Sequence, residues 1–231
     1  MAITKLNNIS WSSISKVDGI AKASISKVSG IEAVSGPPIQ YVDLNATKYG
    51  TYNKYSTVDW DNAINSINAD STQTVGLNVT SAAYTLRSGG TGYTNTRTYV
   101  EFDLSSLNSY TILTLALNIN VIAITTAGMN TLAVMDAGQP STTISYPTLA
   151  TSDYSVYTQQ GNLSMYGVEE VDSINEYNIG LDLNELVISS PYPSSLLMAM
   201  ISKYDANATA PSVGDQYSAI FDTPVLKVSY Q

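Results

Sequence analysis

Residues 3–31 repeat one seven-residue pattern three times at a period of eleven. Ile3-Thr-Lys-Leu-Asn-Asn-Ile9 is followed by Ile14-Ser-Lys-Val-Asp-Gly-Ile20 and Ile25-Ser-Lys-Val-Ser-Gly-Ile31, and each unit closes on a serine: Ser13, Ser24 and Ser35. So short a segment cannot enclose a core of its own, and its apolar positions are expected to meet another surface. That set is Ile3, Leu6, Ile9, Ile14, Val17, Ile20, Ile25, Val28 and Ile31, with Lys16 and Lys27 recurring at one phase. Trp11 stands where later units carry Lys22 and Ala33. Gly19 and Gly30 hold the position that Asn8 holds in the first unit, and both residue types tolerate positive φ and weaken helices. A period of eleven also suits a helix of about 3.67 residues per turn. The β-branched residues and serines favour short extended or turn-broken segments that order on a partner. Ser35-Gly-Pro-Pro38 ends the segment, its prolines imposing an extended exit. Residues 1–36 therefore read as an attachment arm and 37–231 as one folded domain.

Charge separates the same two regions. The arm holds Lys5, Lys16, Lys22 and Lys27 against Asp18 and Glu32, a net +2, so the −9 of the whole chain leaves −11 on the body. An acidic body speaks against general nucleic-acid binding, which neutralises phosphates with Lys and Arg. A mildly basic arm suits an acidic protein surface. The chain has no Cys and no His, which removes disulfides, thiolate metal sites, cysteine nucleophiles and the commonest general base and metal ligand. The most apolar run, residues 112–127, is interrupted by Thr and Asn and reads as sheet, so no membrane span is expected. The N-terminus has a lysine without the apolar run of a signal peptide, and ordinary secretory export is not expected.

Beyond the prolines, strand-like runs alternate with turn residues. The expected strands are 39–44, 74–79, 82–87, 96–102, 112–124, 131–136, 176–182, 196–202 and 225–230, with a short helix or loop at 59–67 and a flexible connector at Ser88–Gly92. Many short strands with no helical pattern between them predict an all-β jelly roll or β-sandwich. Seventeen Tyr against two Phe and two Trp fit strands and wet surfaces, because the ring packs while the hydroxyl stays hydrated.

Catalysis without His or Cys would fall to carboxylates. Asp59, Asp61, Glu101, Asp103, Glu169, Glu170 and Glu185 supply material, but Asp103 reads as a turn cap and Glu169-Glu170 as a solvated loop. No enzyme is expected, and no cofactor. Asp59-Trp-Asp-Asn62 has the oxygen-rich composition of a calcium loop but lacks the glycine and glutamate of an EF-hand, and the plainer reading is an Asp-capped turn around a buried tryptophan. No metal is assigned. Trp60, Tyr93, Tyr154 and Tyr157, with the tyrosines at 49, 52, 55 and 166, could form a sugar-stacking platform or could pack the sheet.

Two stretches resemble known families. Arg97-Thr-Tyr-Val-Glu-Phe-Asp-Leu-Ser-Ser-Leu107, followed by Thr114-Leu-Ala-Leu-Asn-Ile-Asn120 and closed by Pro224-Val-Leu-Lys-Val-Ser-Tyr230, resembles the carbohydrate-binding-module-like β-sandwiches of bacterial surface proteins. The Ile-Ser-Lys-Val-x-Gly-Ile units resemble N-terminal repeats of tailed-bacteriophage structural proteins, especially in phages of Bacteroidetes hosts, where they precede varied β-rich domains. The resemblance implies a virion protein whose arm attaches it to capsid or tail proteins, as a capsid decoration, head fibre or tail-associated component. A homo-oligomer, for instance a trimer, is expected. The alternative is an adhesion module binding host-surface glycans.

Overall fold

A computed structural model describes residues 38–137, 144–157, 164–185 and 194–231, and the backbone of seven short strand segments within residues 1–37. The chain divides into two compact units, Met1–Gln40 with Tyr230–Gln231, and Tyr41–Ser229. In the first, the described backbone is extended: Lys5–Leu6 pairs antiparallel with Ile9–Ser10, Lys16–Val17 with Ile20–Ala21, and Lys27–Val28 with the start of Ile31–Ala33. Of the helical and extended alternatives, these residues take the extended one.

The second unit is all-β. Its elements are β1 (Gln40–Asn45), β2 (Lys48–Ser56), α1 (Trp60–Ile64), β3 (Ser71–Gln73), β4 (Leu77–Thr85), β5 (Thr91–Asp103), β6 (Ile112–Ala127), β7 (Thr131–Asp136), β8 (Met165–Glu170), β9 (Glu176–Leu181), β10 (Ser195–Ser202), α2 (Lys203–Ala206), β11 (Gln216–Phe221) and β12 (Val225–Tyr230). The strands form one curled antiparallel sheet in the order β8-β7-β10-β5-β4-β11-β6-β12-β1, with β2 on β5, β3 on β2 and β9 on β6. Long β5 organises it: residues 91–96 pair with β4, 98–103 with β10, and 93–101 with β2. β6 divides its length the same way, pairing with β9 over 115–120 and with β11 over 121–127, across a register shift at Val121/Ala123.

Burial explains the strands. In β4, Leu77, Val79, Ser81 and Ala83 are buried while Asn78, Thr80, Ala82 and Tyr84 face outward, the period of two of a strand covered on one side. β10 is buried on both faces from Leu196 to Ser202, and its sequence accordingly lacks alternation. One core cluster joins Tyr52, Tyr99, Ala133, Met135, Tyr154, Tyr157, Leu197, Ala199 and Ile201, on one face of β2, β5, β10 and β7. Residues Thr151–Val156, a 3-10 segment, lie within this cover.

The expected strands at 96–102, 112–124, 131–136, 176–182, 196–202 and 225–230 appear within β5, β6, β7, β9, β10 and β12. The runs at 74–79 and 82–87 merge into β4, because buried Ser81 between them is held by hydrogen bonds. Strands β2, β3, β8 and β11 lie outside the expected set. Glu169 and Glu170 belong to β8 rather than to a loop, paired with Leu132 and Thr131 of β7. The Ser88–Gly92 connector is a hairpin turn, with Gly89 at φ +88° and Gly92 already inside β5.

Candidate functional site

Strand β5 presents two chemically different faces. Asn95, Arg97 and Tyr99 point to one side, and Thr94, Thr96, Thr98, Val100 and Phe102 to the other.

On the first side lies a buried polar knot around Arg97, which has no exposed surface. Its guanidinium meets Asp205 of α2 through two bonds, Nε to Oδ2 at 2.6 Å and a terminal nitrogen to Oδ1 at 2.9 Å. The remaining donors reach the carbonyls of Tyr154 (3.2 Å), Tyr157 (2.8 Å) and Ile64 (2.6 Å), and the charge lies over the Tyr154 and Tyr157 rings, 4.5 and 4.9 Å from their centroids. Asn95 donates to Asp205 (2.7 Å) and to the Tyr154 hydroxyl (3.0 Å), which itself donates to the Ala63 carbonyl (2.6 Å). Tyr99 donates to the Tyr154 carbonyl at 2.8 Å. Burial alone would depress the Arg97 pKa, but the adjacent Asp205 carboxylate more than offsets it and holds the guanidinium charged. The knot pins α1, the 3-10 segment and α2 to the sheet. Its bonds tie three separate segments to one strand, which gives the knot a structural task.

That burial corrects the stacking platform. Tyr154 and Tyr157 are 0% and 2% exposed, so neither ring can take a sugar, and Tyr52 and Tyr166 are likewise enclosed. Trp60 is 3% exposed and packs 6.0 Å from half-buried Tyr93. Asp59 caps α1 through Asn62 N at 2.7 Å, as the plainer reading of that stretch has it. Asp103 caps the turn at Ser105 (2.8 Å), and Glu101 is buried against Lys48 at 3.2 Å. Among the described residues no three His, Cys, Asp or Glu side chains gather as a metal site would need, and no helix is long and apolar enough to cross a membrane.

On the second side the apolar face of Val100 and Phe102 gives way to threonines, and the sheet opens. A shallow cleft of about 620 Å³ is lined by Thr80, Ala82, Tyr84, Thr94, Val213 and Gln216, among others. Tyr84, 39% exposed, lies across Gly92: a Cβ there would come within 2.5 Å of its ring, so only glycine leaves the ring flat on the strand. Tyr55, 50% exposed, sits opposite Thr94 on β2 and lines a second, more polar cleft with Lys54, Asp61, Asn62 and Asn65. Strand spacing and rise put Tyr55 and Tyr84 on one face with their Cα atoms about 12 Å apart. Tyr55 is fixed by Asp70, which accepts from its N–H (2.7 Å) and from Lys54 Nζ (2.8 Å). Tyr84 carried no sequence signal; the Tyr84–Gly92 pairing emerges only from the hairpin register.

Of the arm residues, Ile3, Leu6, Ile9, Lys16, Val17, Ile20, Lys27, Val28 and Ile31 are described in backbone only, and Trp11, Ile14, Gly19, Ile25 and Gly30 lie outside the described residues. The chain matches no known protein family, and no curated protein shows significant similarity to it.

Proposed function

We propose that this chain is a non-enzymatic structural component of a tailed-phage virion, held on the particle by its N-terminal arm, with the β unit as the displayed body. The observation that carries the reading is the recurrence of one antiparallel strand pair in all three arm units. A strand pair repeated three times lets like partners be met three times, and repetition raises avidity without requiring a large interface. The partners on this reading are other virion proteins of the capsid or tail. The body is read as a β-sandwich of jelly-roll type. Its support is the divided pairing of β5 and β6 and the meeting of β8 with β9, where Asp182 N donates to the Tyr166 carbonyl at 2.7 Å. The test is mass spectrometry of gradient-purified particles. The chain should remain with them at a fixed copy number through the gradient, and its loss in the first purification step would contradict the reading.

A second reading, glycan adhesion, is favoured by the face that carries Tyr55 and Tyr84 rather than by the buried Trp60, Tyr154 and Tyr157. Exposed rings flanked by hydroxyls, amides and a few charged side chains suit pyranose stacking with hydrogen bonding. Titration with neutral linear oligosaccharides (maltohexaose, cellohexaose and mannohexaose) tests it. Binding should fall at least about tenfold in Tyr84→Ala, a loss of about 1.4 kcal/mol, and also in Gly92→Ala, which tilts the ring. Tyr41→Ala, exposed elsewhere on β1, should bind unchanged. No binding by the parent chain, or an equal loss in Tyr41→Ala, would sink this reading.

A further inference from the structure

β1 is the last strand on the sheet's path, and among the described residues no strand lies on its outer side. The other ends are short or met: β3 has three residues, and β8 faces β9, where Asp182 N donates to the Tyr166 carbonyl. An unpaired edge offers main-chain donors and acceptors to another strand, and sheets usually blunt it with Lys, Pro or a very short strand. β1, Gln40-Tyr-Val-Asp-Leu-Asn45, is six residues long and holds neither Lys nor Pro. Tyr41, Asp43 and Asn45 alternate with Val42 and Leu44, so the two sets lie on opposite faces. Tyr41 is 78% exposed, and Val42 and Leu44 are only half-buried, so neither face of the strand is fully covered.

We infer that β1 adds to β1 of a second copy, so that two sheets become one across a two-fold axis. The strand's own sequence selects the arrangement. Only an antiparallel pair about an axis normal to the sheet keeps Val42 and Leu44 of both copies on one side. Because side chains alternate, one residue must then stand opposite its own copy. Axes through Val42 or Asp43 engage five residues of each strand, and axes through Tyr41 or Leu44 engage three. An axis through Asp43 sets two carboxylates side by side, which is unfavourable. Through Val42, valine meets valine on one face. On the other face each Tyr41 stands beside Asp43 of the second copy, a phenol donor beside a carboxylate. The edge is complementary to itself, and that assigns it to a second copy rather than to a foreign strand.

Sedimentation equilibrium of the unaltered full chain reads the association. One strand pair is smaller than the standard interface of about 1,600 Å², so a dimer with a dissociation constant between about 1 μM and about 1 mM is expected. A chain that stays monomeric to about 1 mM, or assembles as a trimer, overturns the inference. The register is read by charge. Tyr41→Asp sets a carboxylate opposite Asp43 on both sides of the axis and should weaken the dimer at least about tenfold, whereas Tyr41→Lys should hold or tighten it. Equal weakening by both overturns the pairing. Because the chain has no cysteine, a single one introduced reports the axis. Opposed Cα atoms lie about 4.5–5.5 Å apart, within disulfide reach, so Val42→Cys should cross-link to its own copy on mild oxidation. In Leu44→Cys the like residues stand about four positions, or about 13 Å, apart and should not link. Any other cross-linking pattern overturns the register and with it the inference. Thermal melting checks that each variant folds, and sedimentation of the parent chain decides without any variant.

Discussion

Replacing Arg97 with Met should be among the most damaging single changes to the body. Methionine fills much of the same volume but donates no hydrogen bond. Asp205, with no exposed surface, would keep Asn95 as a donor and lose both guanidinium bonds. Removing one partner of a buried ion pair typically costs about 3–5 kcal/mol, since the remaining charge stays desolvated. The carbonyls of Ile64, Tyr154 and Tyr157 would each lose a donor as well, at about 1–3 kcal/mol for any that stays dry. Even with relaxation the loss should reach at least about 4 kcal/mol, a large share of the roughly 5–15 kcal/mol that stabilises an ordinary domain. Urea unfolding followed by intrinsic fluorescence gives the value, read from the midpoint at constant m. In the Arg97→Met/Asp205→Asn double variant the stranded charge is gone, so its loss should fall short of the sum of the singles by about 2–3 kcal/mol. A loss below about 1 kcal/mol for Arg97→Met, or simple additivity, would refute the claim that the knot locks the helices to the sheet.

Two further outcomes are expected. Asp59→Ala should destabilise the body by about 1 kcal/mol through loss of the α1 cap, measured as a lowered melting temperature; an unchanged melt would remove the cap from the account. Burial pushes the Tyr99 phenol from 10.0 up to about 12, and Tyr154, Tyr157 and Tyr217 are raised further by the same desolvation. These groups hold their protons more tightly folded than unfolded. Their stabilisation is therefore complete below about pH 10 and falls as the pH rises through about 12. Phenolate absorbance should show Tyr99, Tyr154, Tyr157 and Tyr217 ionising only with cooperative unfolding, whereas their ionisation with the fold intact would contradict this.

What could be read in the sequence followed the strength of local pattern. β6, β7, β10 and β12 are rich in β-branched or other apolar residues, so they stand out without any knowledge of their neighbours. β2, Lys48-Tyr-Gly-Thr-Tyr-Asn-Lys-Tyr-Ser56, hides because tyrosine and threonine fill its buried positions and Gly50 interrupts it; that glycine lies against Leu149, whose side chain would meet a Cβ there at 2.6 Å. The knot was illegible for another reason. Arg97 and Asp205 are 108 residues apart in sequence, and nothing local to either announces the other. The choice between sugar platform and sheet packing stayed open in the sequence for the same reason: sequence counts tyrosines but does not say which ring faces water. Tyr154 and Tyr157 lie beneath the sheet cover, whereas Tyr84 is exposed because the β4–β5 register sets it over Gly92. The arm pattern, by contrast, was fully visible, since its information lies in spacing.

The central claim is that the arm anchors and the β unit is carried. The most direct measurement compares the full chain with residues 37–231 alone for incorporation into particles, with thermal melting to verify that the shortened chain folds. The account expects a folded body that no longer incorporates. A folded body that incorporates as well as the full chain would contradict it and move the attachment surface to the sheet.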